Sequence, residues 1–343
     1  MAVRIDEFMR TQLVERRNRL EHAIQQPEGS NRLRLLLEEV DSALARIEDG
    51  SYGLCESCHD TIECDLLITD PLVRFCLDHL SREERNALEE DLEMAARVQR
   101  GLLPGHNLDR DGWHICYHYE PAGLVSGDYC DVIDAGEAGL YFIVGDVSGK
   151  GVAASMLMAH LHAMFRALIS VGLPLKCMLE SASRLFSEST LPNQYATLVC
   201  GRALSNGKVE ISNAGHPSPL IARAGHVRPL EAANLPIGMF ATGEFSVSEL
   251  TLDPGESIVI YSDGVSEAMD SSGAEYGIQR LRDLIEREQE PRPSTLLSAC
   301  REDLTTFRGS AAKTDDITLF VLGRESVAAG VSAGDEKLVT QLM

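Results

Sequence analysis

The stretch Ile143-Val144-Gly145-Asp146-Val147-Ser148-Gly149-Lys150-Gly151 decides how the larger part of this chain is interpreted. An apolar run with β character leads into an aspartate, and the surrounding glycines let the backbone come close to whatever the carboxylate holds. One aspartate beside glycine usually marks only a turn. The same arrangement occurs at three further places, and this repetition predicts a site.

The three further motifs each place an aspartate beside an apolar run. They are residues 125–131 (VSGDYCD), 260–268 (IYSDGVSEA) and 313–318 (KTDDIT). Carboxylates at strand ends supply the hard oxygen ligands that Mg²⁺ or Mn²⁺ needs. Converging carboxylates without metal would repel one another and raise their pKa values. Two divalent cations about 3.5–4 Å apart would relieve that repulsion and generate a hydroxide for in-line attack on a phosphoryl group.

Composition limits the remaining classes of function. The chain has 343 residues, a length typical of about two domains, and a formal net charge of −22. Such acidity argues against nucleic-acid or anionic-membrane binding. We expect no membrane-spanning helix, because no apolar run approaches the length of about 20 residues that such a helix requires. The start, MAVRIDEFMR, lacks the apolar core of a signal peptide. The nine cysteines then indicate a reducing, cytoplasmic location.

Four of the possible metal ligands form two closely spaced pairs. The pairs are Cys55 with Cys58 and Cys76 with His79. Each two-residue gap lets both ligands of a tight turn reach the same ion, and thiolates with an imidazole suit tetrahedral Zn²⁺. Four protein ligands leave no open position, so this zinc would be structural. The alternatives are free buried thiols, or His59 or Cys64 in place of one ligand.

Hydrophobic periodicity divides the chain into a helical part and a mixed part. The first fifty residues have two apolar stripes at helical spacing around a Pro-Gly turn, which predicts a hairpin. After about residue 104, helical stretches at 152–170 and 174–189 alternate with short β-rich runs, which predicts a layered α+β domain. The β-rich runs include 140–144, 196–200, 209–212, 257–261 and 317–322. The predicted divisions are a helical hairpin (1–50), a zinc finger (51–80), a linker helix (81–103), a phosphatase-like domain (104–323) and a disordered tail (324–343).

The order and the residue sequences of the aspartate motifs resemble those of the PPM-type, metal-dependent serine/threonine phosphatases, in their bacterial SpoIIE/RsbU-like branch. The resemblance covers about residues 90–323 and includes further segments. These are 95–104 (AARVQRGLLP), 213–217 (NAGHP) and 235–238 (LPIG). It implies a β-sandwich flanked by helices, with two Mn²⁺ or Mg²⁺ ions in a cleft at one end. It also implies protein-serine/threonine phosphatase activity.

The same resemblance implies a role for each motif residue. Asp146 would bridge both ions, and Asp263 would share the catalytic centre with it. The implied metal ligands are Asp128, Asp146, the carbonyl of Val147, Asp263, and one of the adjacent Asp315 and Asp316. Asp131 would support the ligands from behind. His216 would order its loop or, alternatively, transfer a proton.

Residues 1–80 resemble the DksA/TraR zinc-finger family, on the segment 50–58 (GSYGLCESC), Pro71 and the segment 76–79 (CLDH). His79 replaces that family's usual fourth cysteine, and the hairpin tip at 25–31 lacks its acidic pair. We therefore expect a regulatory module rather than one that binds RNA polymerase, which remains the alternative.

The apolar stripe of helix 81–103 is too long for an isolated solvated helix. We expect its early part to pair with a second subunit in a homodimer and its later part to pack on the catalytic domain; the alternative is a plain linker helix packed within its own subunit. The phosphatase resemblance implies a phosphoserine or phosphothreonine protein as substrate, and more specifically a STAS-domain anti-sigma-factor antagonist. We expect neither nucleic acid nor membrane among the partners.

Overall fold

Helices dominate the first hundred residues, where apolar side chains recur at three- and four-residue intervals. Helices α1 (Ala2–Ile24) and α2 (Asn31–Asp49) form the predicted hairpin, and helix α3 (Arg82–Leu102) follows the cysteine-rich segment. A short 3₁₀ turn, Leu77–His79, ends that segment. Residues of the hairpin and of the cysteine segment share one small core, which includes Met9, Leu13, Val40, Ala43, Tyr52, Ile62, Leu66, Leu67 and Val73.

This computed structural model describes residues 2–24, 31–63, 66–67, 70–79, 82–105, 107–230, 234–240, 243–289 and 291–324. The hairpin tip, Cys64 and the predicted tail from residue 325 onward lie outside the described residues. The chain divides into two compact units. One is Met1–Val98 with Lys150–Ala153, and the other is Gln99–Gly149 with Ala154–Met343.

The second unit contains two antiparallel sheets, as the α+β prediction requires. The first has the order β1-β2-β11-β10-β7-β8 and the second the order β3-β4-β5-β6-β9. The strands are β1 (Asn107–Arg110), β2 (Trp113–Glu120), β3 (Asp128–Asp134), β4 (Leu140–Val147), β5 (Ala196–Ala203), β6 (Lys208–Ala214), β7 (Leu220–Arg223), β8 (His226–Pro229), β9 (Ser248–Thr251), β10 (Ser257–Tyr261) and β11 (Ile317–Arg324). Side chains from both sheets form a common core, which includes Ile115, Phe142, Val199, Ile260 and Phe320.

Helices cover the outer face of each sheet, so the predicted helix-flanked sandwich is confirmed. Helices α4 (Gly151–Val171) and α5 (Leu175–Ser189) share a buried cluster with β3, β4 and β5. The short α6 (Asp263–Ser266), α7 (Ile278–Arg287) and α8 (Pro293–Arg308) share one with β7, β10 and β11. The phosphatase-like part thus has four layers, with the sheets in the middle.

Helix α4 contradicts the expectation that no apolar run approaches membrane-spanning length. Among the described residues it is the one helix that is long and apolar enough to cross a membrane by length and composition. One of its faces is nevertheless packed into the core. The buried residues of that face are Ala154, Met158, Leu161, Met164, Phe165 and Ile169. A place between solvent and a sheet accounts for its composition.

Strand register brings two of the predicted site residues together. In the pairing of β3 with β4, Asp128 lies directly opposite Asp146. In the other sheet β11 lies between β2 and β10, with Ile317 opposite Glu120. The Ser262 N–H donates to the Thr318 carbonyl at 3.0 Å, so the end of β10 is tied to the start of β11. The aspartate motifs therefore lie at strand ends on one side of the sandwich.

Candidate active site

Asp128 occupies the first position of β3 and is almost completely buried, with 1% of its surface exposed. The Thr318 hydroxyl donates to its carboxylate, and the Asp128 N–H donates to Ser126 Oγ at 3.0 Å. Burial and the neighbouring Asp146 raise the pKa of Asp128 well above its usual value, while the Thr318 and Ser262 hydroxyls oppose that rise. Asp128 is therefore a buried group that links the two sheets.

Asp146 lies beside three other carboxylates and is only partly buried. Burial raises the pKa of Asp146 to about 7, and Asp263, Asp315 and Asp316 add to the rise in that order. The Val147 N–H opposes it. A carboxylate whose pKa is raised by both desolvation and neighbouring negative charges marks a place where negative charge is not compensated by nearby cations.

Asp263 and the pair Asp315–Asp316 enter from the other sheet. Asp263 is the first residue of α6, immediately after β10, and it is partly buried. The adjacent aspartates precede β11. Asp315 Oδ1 accepts the Asp316 N–H at 3.0 Å. Asp316 turns its carboxylate to a different segment, where it accepts the N–H groups of Ala122 at 2.7 Å and Gly127 at 2.9 Å.

Two glycines let the backbone pack closely around these carboxylates. A Cβ on Gly127 would lie 3.0 Å from Asp146 Oδ1 and 3.3 Å from the Val147 carbonyl oxygen. A Cβ on Gly264 would lie 1.9 Å from the Asp316 carbonyl oxygen. Gly264 therefore leaves no space for a side chain, and a side chain at Gly127 would displace the Asp146 carboxylate by a few tenths of an ångström.

The donor atoms gathered here are carboxylate oxygens and a backbone carbonyl, the kind of set that hard divalent cations prefer. The structure contains no ion. Among the described residues, a group of three or more side-chain ligand atoms that all lie within 4.8 Å of one another occurs at the cysteine cluster. Within the part of the chain that the structure describes, no three of the aspartate carboxylates at this site meet the same distance limit.

His216 is buried beside this site. Its Nδ1 lies 3.1 Å from Thr197 Oγ1, and Thr197 is the strand partner of Asp146. Its backbone N–H donates to Asn213 Oδ1 at 2.8 Å, and its carbonyl accepts from Asn213 Nδ2 at 2.9 Å. Burial lowers the pKa of His216 to about 3, against the Tyr261 backbone carbonyl, which raises it. A neutral ring held by its own loop fits the ordering role better than proton transfer.

Asp131 lies in the same motif as Asp128 but is engaged elsewhere. Its carboxylate is completely buried and accepts two bonds from Arg166 of α4, at 2.9 and 2.8 Å. It also accepts the Val132 N–H at 2.8 Å and lies 3.4 Å from the Tyr129 hydroxyl. This carboxylate ties helix α4 to the sheet.

Three functional neighbours have side chains that the motif analysis missed. Ser262 and Thr318 hold Asp128, and Ser262 Oγ also accepts the Thr318 N–H at 2.9 Å. Gln99, near the end of α3, donates to the Ser126 carbonyl at 2.7 Å and accepts the Ser126 N–H at 3.0 Å. Ser262 and Thr318 are polar residues inside the aspartate motifs and Gln99 lies beside an apolar stripe, and these positions were the available signal.

The cysteine cluster has the predicted composition. Ligand atoms of Cys55, Cys58, Cys76 and His79 all lie within 4.8 Å of one another, so this group could bind zinc. Burial raises the pKa of the Cys55 thiol, but backbone N–H groups of Cys76, Cys58 and Ser57 outweigh that effect and lower it to about 6. A thiol that ionises easily is a better metal ligand.

A two-sheet sandwich with helices outside and aspartates gathered at one end defines the fold class of the PP2C domains. The SiaA-PP2C domain of Pseudomonas aeruginosa has this fold, with a TM-score of 0.59 and 19% identity over 71% of this chain and 98% of that one. Residues 136–325 match the family model described as Stage II sporulation protein E (SpoIIE). This match spans more than half of the chain, which therefore belongs to the SpoIIE family.

Curated relatives include Protein IcfG of Synechocystis sp. (strain ATCC 27184 / PCC 6803 / Kazusa), 27% identical over 68% of this chain and 41% of its own length. Another is the phosphoserine phosphatase RsbP of Bacillus subtilis (strain 168), 29% identical over 57% of this chain and 49% of its own. The chain thus spans less than half of these two relatives. A shorter match, 38% identical over 55 residues, is to the RNA polymerase-binding transcription factor DksA of Caulobacter vibrioides, over 16% of this chain and 39% of that protein.

Proposed function

We propose that this protein hydrolyses phosphoserine or phosphothreonine monoesters in proteins with the help of two Mn²⁺ or Mg²⁺ ions. One observation carries the proposal. The carboxylates of Asp263, Asp315 and Asp316, which come from the first sheet, converge on Asp146 of the second, and burial together with these charges raises the pKa of Asp146 to about 7. Family membership and the name of RsbP, a phosphoserine phosphatase, support the choice of reaction.

In this proposal the metal ligands come from both sheets. Asp146 would hold both ions, the Val147 carbonyl would add one oxygen, and Asp263 and Asp315 would hold one ion. The bound ions would supply Lewis-acid polarisation of the phosphoryl group and an activated water. Asp128 would support Asp146 from the neighbouring strand and contribute to the second ion, directly or through water.

The substrate follows from the resemblance and not from the site. We propose a phosphorylated STAS-domain anti-sigma-factor antagonist, in a cytoplasmic partner-switching pathway. The hairpin and its zinc module would then regulate the phosphatase domain, and the protein would act as a homodimer joined in part through α3. The exposed apolar pair Met94 and Val98, four residues apart on α3, supports a helix contact of that kind.

The first experiment measures p-nitrophenyl phosphate hydrolysis by the full chain with and without Mn²⁺. We expect turnover that requires the ion and that falls by at least a thousandfold in Asp263→Asn, because a ligand is lost. The matched control is Asp270→Asn, since Asp270 caps a surface turn through Ser272 and Ala274. Equal activity of the Asp263 variant and the wild type would exclude the proposed site.

The second experiment offers the enzyme a panel of phosphorylated STAS-domain proteins from the same organism, with a phosphoserine peptide as reference. We expect one member to be dephosphorylated at least a hundredfold faster than the peptide. Uniform rates across the panel would retain the phosphatase and exclude a specific STAS substrate.

The second candidate function is binding to RNA polymerase through the N-terminal module. The DksA match and the Cys₃His group favour it. Co-purification of the polymerase with the intact chain, abolished in Cys55→Ser, would support this function. Absence of the polymerase would leave the regulatory role.

A further inference from the structure

The segment 121–127 joins the first sheet to the second, from the end of β2 to the start of β3. Both oxygens of one carboxylate hold it. Asp316 Oδ1 accepts the Ala122 N–H at 2.7 Å, and Oδ2 accepts the Gly127 N–H at 2.9 Å. The two contacts lie at opposite ends of the segment and join parts of the chain that are 194 and 189 residues apart in sequence. We call residues 121–127 the connecting loop.

We propose that Asp316 is a positioning residue: its carboxylate clamps the connecting loop and so places Gly127 and Asp128 against Asp146, while coordination at this motif falls to Asp315. The clamp follows from the contacts alone. Only its effect on catalysis rests on the proposed phosphatase function.

Asp316 is itself held firmly enough to act as an anchor. Its carbonyl oxygen accepts the Ser262 hydroxyl at 3.2 Å, and its N–H donates to Asp315 Oδ1 at 3.0 Å. Gly264 packs so closely on the same carbonyl that a Cβ there would lie 1.9 Å from it. A carboxylate on a fixed backbone, with each oxygen on a backbone N–H, makes strong charge-assisted bonds.

The clamped loop determines the spacing around Asp146. Gly127 packs closely against the Asp146 carboxylate, since an added Cβ would lie 3.0 Å from Asp146 Oδ1. Even a small shift of the connecting loop therefore changes the packing of Gly127 on Asp146. The next residue, Asp128, is the strand partner of Asp146. At the other end of the loop, Lys313 Nζ donates to the Pro121 carbonyl at 2.8 Å. Residues just before β11 therefore grip the loop at both ends.

The two adjacent aspartates differ in what their carboxylates hold. Asp316 accepts the N–H groups of Ala122 and Gly127, whereas Asp315 Oδ1 accepts the Asp316 N–H at 3.0 Å. For Asp316 to coordinate an ion at Asp146, its oxygens would have to share that role with two backbone N–H groups. These contacts therefore assign loop positioning to Asp316 and metal coordination to Asp315.

The test compares amide hydrogen exchange in Asp316→Asn and in its matched control, Asp315→Asn. Both are made in the full chain, with zinc retained and no Mn²⁺ or Mg²⁺ added. An asparagine has one acceptor oxygen where the carboxylate has two. We expect the Ala122 or Gly127 amide to exchange at least fivefold faster in Asp316→Asn, and both to change less than twofold in Asp315→Asn. Wild-type rates in the Asp316 variant would overturn the proposal.

A second measurement needs no variant and applies even if Asp316→Asn does not fold. In the wild type without added Mn²⁺, we expect the Ala122 and Gly127 amides to be protected already, and Mn²⁺ to change their rates less than twofold. Protection that appears only with Mn²⁺ would show that the carboxylate acts through the ion, and would overturn the clamp.

Metal titration connects the clamp to catalysis. We expect Asp316→Asn to bind as many Mn²⁺ ions as the wild type and to need about tenfold more Mn²⁺ for half-maximal turnover. Asp315→Asn should bind fewer ions. Loss of an ion in Asp316→Asn, with unchanged exchange of the loop amides, would overturn the proposal. If the wild type shows no turnover at all, the phosphatase assignment fails, and the exchange results still decide the clamp.

Discussion

Replacement of Asp146 by asparagine should stabilise the metal-free protein although it abolishes turnover. The reason is the unfavourable charge at this position. Asp146 has a pKa of about 7, against 3.8 for an ordinary aspartate, a difference of about 3 units. At about 1.4 kcal/mol per unit, the ionised carboxylate costs at most about 4 kcal/mol at pH 8. The asparagine side chain of the variant would carry no such charge.

Solvent screening reduces that limit, because Asp146 is partly exposed. We expect about 2 kcal/mol of stabilisation, which corresponds to about 4–8 °C in Tm for a unit of this size. The size of this stabilisation depends on pH. A raised carboxylate pKa means that the folded state holds the proton more tightly, so wild-type stability falls as pH rises from about 4 to about 7. The advantage of Asp146→Asn should therefore be largest at pH 8 and small at pH 5.

The assay is differential scanning calorimetry of the full chain without added Mn²⁺ at both pH values, followed by the same scans with Mn²⁺. Bound metal should stabilise the wild type more than the variant and reverse their order. A variant that is equal to or less stable than the wild type at pH 8 without metal would refute the argument that uncompensated charge collects at Asp146.

Three further substitutions test other parts of the structure. Cys55→Ser should remove the zinc that elemental analysis finds in the wild type, whereas Cys177→Ser, at an exposed thiol, should retain it. Arg166→Leu removes the arginine partner of the buried Asp131 carboxylate and should lower the free energy of unfolding by about 3 kcal/mol in urea titrations, and an unchanged midpoint would contradict this. Gly127→Ala should reduce Mn²⁺-dependent turnover at least tenfold because its Cβ meets the Asp146 carboxylate at 3.0 Å, whereas Gly123→Ala, 3.8 Å from its nearest neighbour, should not.

Sequence patterns predicted the elements that are apolar and regular. The run 257–261 is strand β10 residue for residue. The helical stretch 152–170 is one residue shorter than α4 at each end, and the stretch 174–189 begins one residue before α5. Strand β4 extends three residues beyond the predicted 140–144, to Val147, because its final aspartate lies within the ladder. Apolar periodicity alone ends such a strand too early.

Strands β2 and β3 escaped prediction because they carry polar residues in buried or half-buried positions. Strand β2 contains His114 and His118, and β3 begins with Asp128 and includes Asp131. The residues that hydrogen-bond to these buried aspartates, and so stabilise them, are distant in sequence. Arg166 lies 35 residues from Asp131, and Thr318 lies 190 residues from Asp128. Local pattern contains no information about such pairs, so the aspartates could be predicted as a group but their separate tasks could not.

The place of β11 in the first sheet has a consequence for synthesis and folding. This strand, the last in sequence among the described residues, lies in the interior of its sheet, between β2 and β10, and the residues just before it include Asp315 and Asp316. A chain that emerges from the ribosome in order therefore reaches residue 316 before the carboxylates can assemble. Such long-range pairing also folds slowly compared with local contacts. Incomplete chains should thus be inactive, and the site should form only once the whole sandwich has closed.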